Sequence, residues 1–153
     1  MKDLFLPQLG HVGFIVSNAD KMAELYPAEE VRVYDFIPTR AWSYGKSIYD
    51  CKLRIALVSP AVGGTKLEFV QFISGTNTPH ESFFKQYGSS IHHIAYYVDN
   101  YDEIRSFCEN GQDTRIIFEA EIEDAALGKR SSFYMEHDDY PCIIEFSKRP
   151  TKI

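Results

Sequence analysis

LGHVGFIVSNADKMAELY, residues 9–26, can be laid without a gap over IHHIAYYVDNYDEIRSFC, residues 91–108. The superposition pairs His11 with His93, Val16 with Val98, Asn18 with Asn100 and Asp20 with Asp102, and the apolar positions between them agree in type. Each copy reads as a strand, an Asn/Asp turn able to cap a helix, and a short amphipathic helix. A repeated supersecondary unit sets the architecture, so the rest of the chain is parsed in its frame.

Outward from these copies, Val31 to Ile37, Leu53 to Val58 and Lys66 to Phe72 have strand composition after the first helix. Thr114 to Phe118, Arg130 to Met135 and Cys142 to Phe146 follow the second in the same order. Both halves spell βαβββ, and their last strands correspond: KLEF, with Glu68, answers IIEF, with Glu145. SGTNTPHESFFKQYGSS, residues 74–90, supplies a turn-rich linker and a short helix over 79–87. The expected fold class is α+β: two tandem βαβββ modules, about 9–73 and about 90–148, with the linker helix within about 74–89. Together they make one domain over residues 1–153, folded most simply as two similar sheets related by a pseudo-twofold axis.

That axis gives the histidines a role. His11 and His93 open equivalent strands, and Glu68 and Glu145 lie in equivalent last strands, so the fold brings two imidazoles and two carboxylates to one place. Such a set suits a divalent metal of borderline hardness. A carboxylate seldom faces a core unless paired or coordinated, yet Glu68 stands between Leu67 and Phe69, and Glu145 between Ile144 and Phe146.

The totals bound the rest. A chain of 153 residues, 44% hydrophobic, has the size of one domain with a real core. A net charge of −6 argues against nucleic acid or an anionic membrane as partner. No apolar run approaches the roughly 20 residues of a membrane span, and MKDLFLPQLG lacks a signal-like apolar region, so a cytoplasmic location is expected. Cys51, Cys108 and Cys142, odd in number and without paired spacing, read as reduced, packed thiols.

The GHVGFIV and HHIAYYVDN stretches, with KLEF and IIEF, resemble the vicinal oxygen chelate superfamily, which includes glyoxalase I, methylmalonyl-CoA epimerase, extradiol dioxygenases and bleomycin-resistance proteins. NTPHESFFKQYGSSIHHIAYYVDN is most similar to the branch holding glyoxalase I and methylmalonyl-CoA epimerase, with Thr78 in place of that branch's helix-leading Ser. The resemblance implies that the two modules form curved mixed sheets around a metal-binding cleft and, carried over by position, that the metal ligands are His11, Glu68, His93 and Glu145. His93 aligns with His11, and His92, next to it in a strand of alternating faces, is expected to point away and to pack or hydrogen-bond behind it. The resemblance also implies a second acid/base on the third strand, for which Asp50 is the nearest candidate, in a register that depends on the length of the SPAVGGTK hairpin.

The implied activity is that of a lyase or isomerase of glyoxalase type, or of an epimerase. One divalent ion (Co, Ni, Zn, Mn or Mg) would polarise a substrate carbonyl while Glu145, with Glu68 as its counterpart, takes the neighbouring proton. The implied partners are a small-molecule substrate, such as a CoA thioester or thiol hemithioacetal, and a second copy of the chain. Arg40, Lys46, Lys52, Arg54, Lys129 and Arg130 are candidate rim cations for an anionic substrate, and Trp42-Ser43-Tyr44 a candidate lid. A metal-free drug-binding protein, an extradiol dioxygenase and a noncatalytic interaction domain are the competing readings.

Overall fold

The computed structural model describes residues 7–26, 30–59, 64–124 and 128–149. The start of the chain and the turn of the SPAVGGTK hairpin lie outside the described residues. The first module runs β1 (His11–Ile15), α1 (Ala19–Leu25), β2 (Glu30–Phe36), a hairpin of β3 (Arg40–Ser43) and β4 (Lys46–Ile48), then β5 (Lys52–Ser59) and β6 (Lys66–Ser74). Helix α2 (Pro79–Tyr87) leads to the second module: β7 (Ser90–Val98), α3 (Tyr101–Asn110), β8 (Thr114–Asp124), β9 (Gly128–His137) and β10 (Ile143–Lys148). Asn18 caps α1, accepting from the Lys21 backbone N–H at 3.0 Å, and Thr78 caps α2. Asn100 stands at the start of α3 without a side-chain cap bond.

The modules do not form two separate sheets. Among the described residues all strands join one mixed, ten-stranded sheet in the order β2-β5-β6-β1-β7-β10-β9-β8-β3-β4. The seam is the antiparallel pair β1 and β7, where each module's edge strand satisfies the other's open backbone groups. Register across the seam obeys the pseudo-twofold: His11 faces Ala95 and Gly13 faces His93, while Glu68 lies beside Gly13 and Glu145 beside Ala95.

One face of the sheet is covered by helices. Helix α1 sets Ala19 against Ala56, Val58 and Phe69, and α3 sets Ile104 and Cys108 against Phe133, Met135, Ile144 and Phe146. The other face buries Ile15, Leu53, Ile55, Val70, Phe118 and Tyr134, and it carries the cleft. Cys51 and Cys108 are buried free thiols and Cys142 is a half-buried one, as packed cysteines would be.

The RAWSYGKSIYD segment leaves its own module. Tyr44 (φ 50°) and Gly45 (φ 78°) make a two-residue turn with both central residues left-handed, the geometry that matches the twist of a tight hairpin. Its strand β3 pairs with β8, Ser43 to Phe118 and Arg40 to Glu121, so an insertion in module one covers the outer edge of module two. This partner explains why β8 continues to Asp124, past the Phe118 limit expected from composition.

Candidate metal centre

The four candidate ligands meet. One ligand atom from each of His11, Glu68, His93 and Glu145 lies within 4.8 Å of all the others, and all four residues are buried. The Nε2 atoms of His11 and His93 are 3.2 Å apart, and Glu145 Oε2 lies 3.2 Å from the first and 3.0 Å from the second. Glu68 spans the same pair, with Oε1 3.4 Å from His93 Nε2 and Oε2 3.6 Å from His11 Nε2. Bonds of roughly 2.1 Å to one ion set neighbouring donors about 3.0 Å apart in an octahedral arrangement and about 3.4 Å in a tetrahedral one. The Nε2 atoms of His11 and His93 and Oε2 of Glu145 fall at these spacings, and a Glu68 oxygen within 4.8 Å of them completes a donor set that suits a divalent ion.

The electrostatics match. Burial opposes a charged ring at His11 and His93, but Glu68 and Glu145 outweigh it and raise both, His93 to about 9. Burial likewise favours neutral Glu145, yet the hydrogen bonds of both imidazoles hold its carboxyl well below the usual range. The neighbouring carboxylates thus favour protons on the two rings, a charge arrangement that a divalent ion can replace. Metal uptake near neutral pH is therefore expected to release protons, and affinity to rise with pH, by up to tenfold per unit for each proton displaced, levelling off above about pH 9 for His93. Calorimetric titrations in buffers of different ionisation enthalpy count those protons; none released at pH 7 would contradict the carboxylate-imidazole pairing.

Close packing makes room for the site. A Cβ added to Gly13 would stand 2.1 Å from His93 Cε1 and 2.2 Å from its Nε2. Gly13→Ala should push the ring off its position, at a cost of about 1–3 kcal/mol in stability and a loss of metal affinity, both readable by thermal unfolding with and without the ion. A variant that binds and unfolds like the wild type would show that the ring has freedom this packing denies it.

The cleft in front of the centre has a volume of about 120 Å³. Phe36, Leu53, Ile55, Phe118 and Ile122 form an apolar wall, and Tyr34, Tyr97, Tyr134, Ser132 and Ser147 add hydroxyls. Sequence reasoning missed these hydroxyls, since their only signal was a place on strands that alternate toward the cleft. Tyr97 Oη is 3.1 Å from His11 Nδ1, and Ser147 Oγ donates to Glu145 Oε1 at 2.9 Å. Burial, with the charges of Glu68 and Glu145, raises the phenols of Tyr34, Tyr97 and Tyr134, so these groups stay protonated.

Three expectations are corrected. Asp50 is not brought to the centre: it stands exposed in the loop before β5, where it accepts from the Thr76 backbone N–H at 3.1 Å and its hydroxyl at 3.0 Å. Those bonds lower its carboxyl and tie two loops together. Of the six candidate rim cations only Arg130 lines the cleft, joined by Lys148. Arg40 and Lys129 pair with Glu121, Arg54 with Asp20 and Asp35, and Lys52 with Asp35, and Lys46 lies on β4, the far strand of the hairpin. Trp42 and Tyr44, expected as a lid, line a separate groove beside α3.

His92 also departs from strict alternation. The register slips between Gly13 and Phe14, which face His93 and Ile91, so His92 is the extra residue of a β-bulge. Both rings consequently pack on Tyr134, at 5.3 and 5.1 Å between centroids, and their Nδ1 atoms are 2.9 Å apart.

No family model matches the sequence, and no curated protein matches it either. Solved structures do. Methylmalonyl-CoA epimerase from Mycobacterium tuberculosis superposes with a TM-score of 0.60 at 18% identity, covering 96% of this chain and 91% of its own. A variant of the Streptomyces coelicolor epimerase in complex with 2-nitronate-propionyl-CoA gives 0.56 at 11% identity, over 95% and 99%. A triple variant of 4-hydroxymandelate synthase from Streptomyces coelicolor gives 0.57 at 15%, over 94% of this chain and 49% of that one, so this chain spans about half that enzyme's length. No helix among the described residues is long and apolar enough to cross a membrane. With paired βαβββ modules, a continuous curled sheet and these structural neighbours, the chain has the fold of the vicinal oxygen chelate superfamily.

Proposed function

We propose that the protein is a metal-dependent enzyme of lyase/isomerase type that moves a proton at the carbon beside a carbonyl group. The observation that carries the reading is the junction, in one cleft, of a buried two-histidine, two-carboxylate set with a carboxylate whose second oxygen is held by a hydroxyl. A divalent ion supplies Lewis acidity there when bound, which makes a C–H next to a carbonyl more acidic.

The remaining work falls to the chain's own side chains. Glu145 turns Oε2 to the imidazoles and leaves Oε1, oriented by Ser147, to take the proton. Glu68 directs one oxygen at each imidazole, which suits it to holding the centre. Tyr97 takes the His11 Nδ1–H on its oxygen and keeps its own hydrogen to donate at the cleft, where negative charge develops. The apolar wall of Phe36, Leu53, Ile55 and Phe118 keeps water from competing.

A volume of about 120 Å³ admits a small acyl group while its carrier extends outside. This suits a CoA thioester or a thiol hemithioacetal. With Asp50 tied to Thr76, Glu68 and Glu145 are the carboxylates lining the cleft among the described residues. Return of the proton by Glu145 to the adjacent carbon is the glyoxalase-type outcome; inversion of a stereocentre would require Glu68 to act from the other side.

The test is deuterium uptake in D₂O by methylmalonyl-CoA and by the glutathione hemithioacetal of methylglyoxal, with Co²⁺-loaded protein. Uptake by either, lost on chelation and restored by Co²⁺, is the expected result. Tight Co²⁺ binding without uptake by either probe would refute the reaction assigned to these substrates, and absence of binding would favour a sequestering domain.

A further inference from the structure

Behind the centre the two halves differ. The Nδ1 of His11 meets a phenol, Tyr97 Oη, at 3.1 Å, whereas the Nδ1 of His93 meets another imidazole, His92 Nδ1, at 2.9 Å. We propose that His92 is a positioning residue: its Nδ1 accepts the Nδ1–H of His93 and holds that ring in the tautomer whose Nε2 is turned to the cleft with its lone pair available. The inference rests on the metal-centre reading above.

The proton inventory leads there. His93 Nε2 faces Glu145 Oε2 at 3.0 Å and Glu68 Oε1 at 3.4 Å. When that nitrogen offers its lone pair to an ion, the ring's proton lies on Nδ1, which donates it. His92 Nδ1 is then the acceptor, and the proton of His92 sits on its Nε2.

That Nε2 has no hydrogen-bond partner among the described residues. The ring is 1% exposed and is packed edge-on to Phe83 at 4.7 Å and Tyr134 at 5.3 Å, with His80 at 5.8 Å. Burying an unpaired N–H is unfavourable, and an all-carbon ring would pack among these aromatics without it. The nitrogen ring is bonded at one atom only, and that bond goes to His93.

Local backbone geometry accounts for the difference between the halves. The bulge in β7 rotates His92 to the side of His93. Gly10 occupies the equivalent place before His11, and a Cβ there would stand 2.5 Å from the Tyr97 ring, so the absent side chain in module one is what admits the phenol. Each ligand histidine therefore has an oriented acceptor behind it, of different chemistry.

The experiment compares His92→Asn, which keeps an acceptor close to the Nδ1 position, with His92→Phe, which keeps the ring's bulk. Chelator-treated proteins are titrated with Co²⁺ and followed by visible absorption. The expected result is a loss of roughly 10–100-fold in affinity for His92→Phe and near wild-type affinity and spectrum for His92→Asn. Wild-type affinity in His92→Phe overturns the proposal, and so does an equal loss in both variants, which would assign His92 to packing. Should the wild type bind no Co²⁺, the metal reading fails separately. The hydrogen bond is then judged by the slowly exchanging His93 Nδ1 proton in ¹⁵N NMR spectra of the wild type and His92→Asn. The same spectra decide if His92→Phe does not fold: the protected proton present in both supports the role, and its absence from the wild type overturns it.

Discussion

Glu145→Gln is expected to lower deuterium uptake at the substrate carbon by roughly 10²–10⁴-fold, the usual contribution of a positioned general base. The substitution keeps the side chain's shape, but the amide cannot accept a proton at the pH where the carboxylate does. Against burial, which favours the neutral acid, the pairing of Oε2 with both imidazoles keeps Glu145 ionised across the neutral range, so the base is present before substrate arrives. Metal affinity should fall only in part, because an amide oxygen can still coordinate and the other three donors are intact. Glu68→Gln is the matched control: a similar loss of affinity with uptake retained once Co²⁺ is saturating. Equal uptake in Glu145→Gln and the wild type would remove Glu145 from the reaction, and loss in Glu68→Gln instead would exchange the two roles.

His93→Ala is expected to reduce divalent-metal affinity by more than about 10²-fold. Structural zinc sites bind with roughly 10–16 kcal/mol, so one ligand in four carries about 2.5–4 kcal/mol. The apo protein should suffer too. Removing the ring leaves Glu145 and Glu68 without the proton donor that stands 3.0 and 3.4 Å away, and breaking a buried ion pair on one side typically costs about 3–5 kcal/mol. His11→Ala should behave alike, since its Nε2 faces the same two carboxylates. Metal analysis of the purified variants with apo and Co²⁺ unfolding curves separates the effects. Retention of a stoichiometric, tight ion by either variant would contradict ligation by that histidine.

Much of the site was legible because the repeat made it so. A lone buried histidine is commonplace, but His11 with His93 and Glu68 with Glu145, at matched places in matched modules, can be placed by symmetry before any coordinates are known. The registers that follow this symmetry, His11 to Ala95 and Gly13 to His93, are consequences of joining two like edges antiparallel. Asp50 had no such counterpart. Its register depended on the length of the SPAVGGTK hairpin, and the bonds to Thr76 hold it in a loop away from the centre.

The sequence by itself determined the βαβββ modules, the α2 helix over 79–87 and the quartet of His and Glu, since each rests on local periodicity or on the internal repeat. Only the tertiary structure decided that the hairpin of β3 and β4 would cross to β8, that Arg40, Lys52, Arg54 and Lys129 would pair with neighbouring acids, and that His92 would turn to the side of His93. The physical reason is common to all three. Periodicity encodes which face of an element is buried, whereas an edge's partner, an exposed cation's counterion and a bulge's extra residue depend on what another part of the chain brings into contact.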